Sequence, residues 1–445
     1  MPEAKPFDIS KQLVWDAYQR VKANRGAAGV DGESLSMFEK DLKGNLYKVW
    51  NRMSSGSYCP PPVRRVEIPK ENGGVRPLGI PTVGDRVAQT VAKMVLEPLV
   101  EPVFHPDSYG YRPGKSALEA VSVARKRCWD ADWVIDLDIK DFFGSISHEL
   151  IERAVAHHTD LAWVRLYVGR WLRAPIQRED GTLERPARGT PQGGVASPLL
   201  ANLFMHYAFD AWMQRTFPKA PSERFADDAV VHCRSKRQAE SVLVAIRDRL
   251  RTRLVVMCRT RKDCEQAEAR IMGILKRLRL ELHPHKTRRL DLFFGQEGFD
   301  FLGCHLRKRL SGRLWEQKRK RLYFLQRCPS GRSMRRVRQR AKELTLRSRC
   351  HANIRLVIGE VNPMLRGWDQ YFRTGNAARQ FCSLDSDVVR RLCRLRVKRN
   401  GRYLQPGEAM SWTREYVERL GLYRLRGTIK YPGEPPGRRA RNAVH

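Results

Sequence analysis

Arg224-Phe225-Ala226-Asp227-Asp228-Ala229-Val230-Val231 sets two adjacent carboxylates between apolar runs. The pattern predicts a tight hairpin with the Asp pair at its tip. Crowding two like charges is costly unless something offsets the repulsion. A solvated hairpin end does so with water, and Asp is a common turn residue. A divalent-metal site does so with cations, because two metal ions can clamp the attacking and leaving oxygens of a phosphoryl transfer. The octamer alone leaves both readings open.

The rest of the chain bears on the choice. Its 445 residues allow two or three domains with real cores, and 42% hydrophobic content argues against global disorder. Lys and Arg total 84 against 48 Asp and Glu, a formal net charge of +36. The natural partner of such a chain is a polyanion, with nucleic acid foremost. A membrane surface fits less well, since no run of about 18 apolar residues occurs. Ten cysteines lie scattered without a CxxC pair, which argues against zinc fingers and disulfides and favours a reducing cytosol. The N-terminus reads as neither a signal nor a transit peptide.

Residues 11–60 read as mostly helical around a Gly-rich loop, Asn24 to Gly32, that lacks the Lys-Ser/Thr of a phosphate loop. Val63–Lys70 and Val75–Pro81 read as two strands joined by Glu71-Asn72-Gly73-Gly74, carrying Lys70 and Arg76 near the tip. They are a solvated basic hairpin or a clamp on a triphosphate. Asp85 is a candidate cap for the next helix, and Ser197-Pro198 for a later one. In Tyr109-Gly110-Tyr111-Arg112-Pro113-Gly114 the Arg meets a phosphate or stacks on a tyrosine.

Trp133–Lys140 reads as a strand with Asp136 and Asp138 on one face and Ile135, Leu137 and Ile139 on the other. An acid in a buried sheet needs a partner or a metal. The glycines of Gly189-Thr190-Pro191-Gln192-Gly193-Gly194 allow close approach by backbone or ligand. Between His305 and Arg349 the chain carries 17 Lys or Arg against Glu316 and Glu343, a net of +15 over 45 residues. Such a run self-repels without counterions or phosphates, so a nucleic-acid-binding helical domain is expected from about residue 305.

In order and over most of its length, the chain resembles the group II intron reverse transcriptase/maturase family. The resemblance is carried by Arg25–Gly32, Arg64–Pro81, Ser108–Pro113, Asp138–Phe143, Thr190–Gly194 and Phe225–Asp228. It continues through Leu282–Thr287, Phe299–Gly303 and Asn362–Phe372. The implied fold class is α+β, a right-hand polymerase with an antiparallel palm sheet, fingers and a helical thumb. The implied domains are an N-terminal extension (1–60), fingers and palm (61–304), thumb/maturase (305–400) and a basic C-terminal segment (401–445).

Asp138, Asp227 and Asp228 match the acidic triad that holds two Mg²⁺ ions. One strand acid plus a hairpin pair also suits a two-metal clamp on its own terms. By the same resemblance Lys70 and Arg76 grip the triphosphate, Gln192 positions the nucleotide, and Phe143, five residues after Asp138, excludes a 2′-hydroxyl. Lys286 matches the Lys near the primer-side motif, and Asp136 is structural. Candidate RNA-facing residues are Arg112, Lys318, Arg319, Lys320, Arg321, Arg335, Arg336 and Arg366. In 362–372, Leu365, Trp368 and Phe372 fall at helical spacing and read as core, whereas Arg366 and Tyr371 are candidates to face RNA. The implied partners are group II intron RNA, an RNA template with a DNA primer, dNTPs and target DNA, with no membrane partner.

The chain departs from the family in three respects. It carries no paired Cys/His endonuclease motif, and it has Phe225 where Tyr is commoner. Its segment from Val230-Val231-His232-Cys233 is echoed 25 residues later by Val255-Val256-Met257-Cys258. The extra copy is either tolerated as a surface insertion or competes for the first copy's place in the sheet. Three functions therefore stand: an active RNA-directed DNA polymerase with maturase function, a splicing-only maturase, and a domesticated polymerase of defence or repair.

Overall fold

The computed structural model describes residues 5–24, 26–69, 75–139, 141–251, 288–292, 296–310, 323–400 and 411–430. It has a mixed α/β architecture in two compact units, one of residues 1–120 and 135–289, the other of 121–134 and 290–445.

The first unit opens with helices α1 (Lys11–Asn24), α2 (Leu35–Phe38) and α3 (Leu42–Ser54). Val14, Ala17, Tyr18 and Val21 of α1 follow helical spacing and are buried together. Strands β1 (Val63–Pro69) and β2 (Val75–Ile80) pair antiparallel, as expected of two strands joined by a turn, with Arg76 opposite Ile68. The following helix α4 (Val83–Val100) is capped by Thr82, whose hydroxyl accepts from the Asp85 backbone N–H. The expected cap, Asp85, is instead buried three residues into the helix.

Helix α5 (Ala117–Asp130) leads into β3 (Trp133–Asp138), with Ile135 and Leu137 buried and Asp136 and Asp138 half-buried. Helices α6 (Phe142–Ser145), α7 (His148–His158) and α8 (Ala162–Leu172) follow. The short strands β4 (Ile176–Gln177) and β5 (Leu183–Glu184) extend the β1–β2 sheet to the order β2-β1-β4-β5.

Helix α9 (Ser197–Met205) is apolar on every side and almost wholly buried, as such a helix must be. Proline sits in its first turn, but the Ser197 hydroxyl accepts from Thr190 instead of capping. The chain then forms a π-helical turn, His206–Asp210, before α10 (Ala211–Thr216). Strands β6 (Ser222–Phe225) and β7 (Asp228–Cys233) make the expected hairpin, followed by α11 (Lys236–Arg251). With β8 (Arg288–Asp291) they form a four-stranded sheet in the order β6-β7-β3-β8. The second copy of the repeated segment, from residue 255 on, lies outside the described residues.

The second unit contains a three-stranded antiparallel sheet of β9 (Phe299–Phe301), β10 (Cys304–Leu310) and β11 (Tyr323–Pro329), in the order β11-β10-β9. Leu302 and Gly303 between β9 and β10 both have positive φ, 49° and 77°, the signature of a two-residue I′ turn. The expected domain division at 304/305 falls at the start of β10, inside this sheet.

Helices α12 (Gly331–Leu344), α13 (Ile354–Phe372), α14 (Ala378–Asn400) and α15 (Arg414–Arg419) complete the unit. In α13, Val361, Leu365 and Phe372 are buried, and Trp368 packs on Phe372 and Phe381 with ring centroids 4.9 and 5.0 Å away. Segment 411–430 is tied to α13 and α14 by buried carboxylates. Asp369 accepts from Tyr423 Oη (2.9 Å) and from Thr428, and Asp385 accepts from the backbone N–H groups of Leu425 and Arg426.

Candidate active site

The Asp pair sits where the octamer places it. Phe225 pairs with Asp228, so the hairpin loop is Ala226–Asp227. Ala226 has φ of 58° and Asp227 does not share the positive sign, the pattern of a II′ turn, which prefers Gly at its first position. An alanine there costs about 1–3 kcal/mol and persists only where its surroundings enforce it.

That enforcement is visible. Gly110 lies flat against the turn, and a Cβ at Gly110 would stand 2.5 Å from the Ala226 nitrogen. The Ala226 carbonyl accepts from Arg224 Nη1 at 2.9 Å. Arg224 is itself only 2% exposed. Its Nε and Nη2 form a fork onto Asp210 (2.8 and 2.7 Å), Nη1 also reaches Asn202 (3.0 Å), and Nη2 also reaches Ser108 Oγ (2.8 Å). Asn202 in turn donates to the Gly110 carbonyl at 2.6 Å.

The Ser108–Tyr111 loop thus lies on the Asp hairpin and presents Tyr111, another residue with positive φ (58°). The Tyr111 ring meets Phe143 edge-on at 6.5 Å. Its phenol is raised above the ordinary value by burial first and by the Asp227 charge second, with Arg76 opposing. Asp227, Tyr111, Arg76 and Phe143 therefore occupy one neighbourhood. Asp138 ends β3 and Asp228 begins β7, neighbouring strands of one sheet, and all three Asp side chains are half-buried.

The 189–194 loop is bonded to both sides of this neighbourhood. Thr190 N–H donates to the Phe143 carbonyl (2.7 Å), and Gly79 N–H, on the strand that carries Arg76, donates to the Gln192 carbonyl (2.5 Å). Gly193 has φ of 112°, and a Cβ on it would fall 2.4 Å from the Gly79 oxygen. Only glycine fits there.

Asp85 supports the same loop from below. It accepts from Tyr58 Oη (2.7 Å), Trp171 Nε1 (2.8 Å) and Gln89 Nε2 (2.9 Å), and Gln89 Oε1 accepts from Ala196 N–H (3.2 Å). In Asp85→Asn the new amide would face the Gln89 amide, donor against donor. A loss of about 1–3 kcal/mol is expected from urea unfolding at neutral pH. An unchanged midpoint would refute this role.

Burial also holds His148, His158 and His206 below the ordinary imidazole value. His148 Nε2 bonds the Gly189 carbonyl at 2.7 Å, and His158 bonds Tyr207 at 2.6 Å. Groups with a depressed folded value bind protons more readily when unfolded, so stability is present above about pH 6.5 and falls as pH drops through it. The urea midpoint is expected to decrease between pH 7 and pH 5. A flat profile would show that these rings do not control acid stability.

Among the described residues, no group of three or more His, Cys, Asp or Glu forms a metal-holding cluster. The donor chemistry of the three carboxylates still suits a hard divalent cation, which takes oxygen ligands.

Arg112 is a correction. It does not face RNA: its side chain is 6% exposed, paired with Glu101 (2.7 Å) and bonded to the carbonyls of His105 and Ser108. It lies 5.2 Å from the centre of the Phe104 ring, not a tyrosine. Tyr371 is a second correction: its hydroxyl donates to the Leu302 carbonyl (2.8 Å) and burial pushes it up to about 12. Arg335, Arg336 and Arg366 are exposed, with Arg366 5.5 Å over the Tyr423 ring. Lys70, Lys286, Lys318, Arg319, Lys320 and Arg321 lie outside the described residues.

Sequence reading passed over the roles of Asn202, Asp210 and Arg224. The available signal was Asn202 and Asp210, which with His206 interrupt the apolar Leu199–Asp210 run, and Arg224 inside a buried strand.

Two family descriptions match the chain. Residues 68–253 match the reverse transcriptase (RNA-dependent DNA polymerase) family, and residues 334–408 match the group II intron maturase-specific domain. Protein YkfC of Escherichia coli (strain K12) is 32% identical over 309 residues, covering 63% of this chain and 76% of that protein. The group II intron-encoded protein LtrA of Lactococcus lactis subsp. cremoris is 34% identical over 202 residues, 44% of this chain and 33% of LtrA. A putative COX1/OXI3 intron 1 protein of Saccharomyces cerevisiae is 32% identical over 199 residues, 44% of this chain and 24% of that protein. The chain thus matches about three quarters of YkfC but a third or less of these two intron-encoded relatives.

An Asp hairpin in a mixed α/β unit followed by a maturase-specific domain defines a reverse transcriptase. The chain belongs to the group II intron reverse transcriptase/maturase family. Its two matched domains imply nucleic-acid partners, intron RNA among them. Enzymes of this class use divalent metal ions. Among the described residues no helix is long and apolar enough to cross a membrane.

Proposed function

We propose that this protein copies RNA into DNA by nucleotidyl transfer at Asp138, Asp227 and Asp228, and binds intron RNA to assist its splicing. The observation that carries the reading is the convergence of Asp227, Tyr111, Arg76 and Phe143 beside the β3–β7 strand pair. The first unit serves as fingers and palm, and the second as thumb and maturase region. The expected site of action is the cytoplasm.

Asp138, Asp227 and Asp228 would hold two Mg²⁺ ions. When bound, these lower the pKa of the primer 3′-hydroxyl and neutralise charge on the triphosphate. The protein's own residues perform the positioning. Arg76, with Lys70 and Lys286, binds phosphate oxygens; the forked guanidinium suits them. Phe143, held by its carbonyl's bond to Thr190, forms the floor under the sugar and leaves no room for a 2′-hydroxyl. Gln192, tied to β2 through its backbone, orients the nucleotide. Exposed Arg335, Arg336 and Arg366 contact RNA phosphates.

The deciding experiment is primer extension on an RNA template with Mg²⁺ and dNTPs. DNA synthesis is the expected result. RNA binding without synthesis would favour the splicing-only reading, in which the repeated segment has spoiled the polymerase. An RNA affinity no greater for intron RNA than for unrelated RNA would favour a domesticated polymerase.

A further inference from the structure

We infer that Arg224 is a positioning residue that locks the Asp227–Asp228 turn and the Tyr111 loop into one rigid piece, so that metal affinity and sugar selection are set together. The inference rests on the polymerase reading above and extends it to residues that touch neither nucleotide nor metal.

An arginine has five N–H donors in a fixed fork. All five are engaged here, with Asp210 (two), Asn202, Ser108 and the Ala226 carbonyl. Each partner belongs to a different part of the site. The Ala226 carbonyl belongs to the peptide plane whose nitrogen is that of Asp227. Because that plane is rigid, fixing its oxygen fixes the backbone from which the Asp227 carboxylate projects. Ser108 Oγ, together with the Asn202 bond to the Gly110 carbonyl, fixes the loop that presents Tyr111 against Phe143. Asp210 comes from the π-helical turn His206–Asp210, which follows α9 directly. Such turns recur at functional sites because they re-aim side chains within a helix.

A filler role would not require this arrangement. Asp210 alone neutralises the buried guanidinium, and its other N–H groups need acceptors of any kind, which helix carbonyls or water supply as well as loops do. Of the remaining three donors, one holds the Ala226 turn at its positive φ, one holds Ser108, and one holds Asn202 of α9, which itself bonds the Gly110 carbonyl of the Ser108 loop. Lysine has the charge but only three donors without the planar fork, so Arg224→Lys keeps the ion pair and cannot hold every partner.

The test compares wild type with Arg224→Lys and Asn202→Ala on a primer–template duplex. Binding of Mn²⁺ is followed by electron paramagnetic resonance without turnover, and deoxy-over-ribonucleotide selection by kcat/KM ratios. Arg224→Lys is expected to weaken Mn²⁺ binding about tenfold, as when an outer hydrogen bond to a metal ligand is lost, and to lower sugar selection about tenfold. Asn202→Ala releases the Gly110 carbonyl but leaves Arg224 on Ala226. It should lower sugar selection and leave Mn²⁺ binding unchanged.

A purely structural Arg224 would lower the unfolding temperature while the folded protein kept wild-type Mn²⁺ affinity and selection, and that result would overturn the inference. If Arg224→Lys does not fold, Asn202→Ala and Ser108→Ala decide: wild-type selection in both overturns it. A wild type that makes no DNA sinks the polymerase reading instead, and the Mn²⁺ comparison still reports on Arg224.

Discussion

Asp227→Ala or Asp228→Ala should lower RNA-templated DNA synthesis by at least about 10⁴-fold, a loss on the scale of removing a member of a catalytic set. RNA affinity should stay within about threefold. The turn explains the first expectation. Asp227 and Asp228 stand at the tip and first strand position of a two-residue hairpin whose backbone is held by Arg224 and Gly110. The two-residue loop and the strand position after it hold these two acids and no third. The second expectation follows from charge, because a carboxylate without its cation repels phosphate and contributes nothing to RNA binding. Filter binding of RNA run beside primer extension reads both quantities. An Asp variant that lost RNA affinity as badly as synthesis would end the assignment of chemistry to the hairpin.

Replacing Arg332, Arg335 and Arg336 with Ala should weaken RNA binding about 100-fold at physiological salt and leave the kcat of saturated short templates nearly unaltered. All three lie exposed on α12, while Met334, Val337 and Ala341 form its buried stripe. Each phosphate contact releases counterions and contributes about 0.7–0.9 to the slope of log K against log salt. Loss of three contacts flattens that slope by about 2–3. The helix is not expected to unfold, since Ala is the best helix former and the apolar stripe is untouched. Unchanged affinity and slope would move the RNA surface off α12.

Local pattern made much of the fold legible. A Gly-containing turn between two strand-like runs located β1 and β2, period-two alternation located β3, and apolar runs around the Asp pair located β6 and β7. Their lengths and faces are set by near neighbours in the chain, which is what periodicity reports. Where reading missed, a long-range partner had decided. Thr82, not Asp85, caps α4, because Asp85 is drawn inward by Tyr58 and Trp171. Ser197 looked like a cap and bonds Thr190 instead. Arg112 looked like a phosphate ligand, yet Glu101 and two loop carbonyls take its donors.

By itself, then, the sequence determined the hairpin, the acids at its tip, the strand acid Asp138, the basic character of the later half and the family to which all of these belong. Those features are carried by residue identity and short spacing. Only the tertiary structure decided which residues meet. Ser108, Asn202, Asp210 and Arg224 are spread over more than a hundred positions, and no spacing rule joins them. They converge because a buried guanidinium must satisfy all five donors, and the partners that satisfy them lie on loops, helix and turn that only folding brings together.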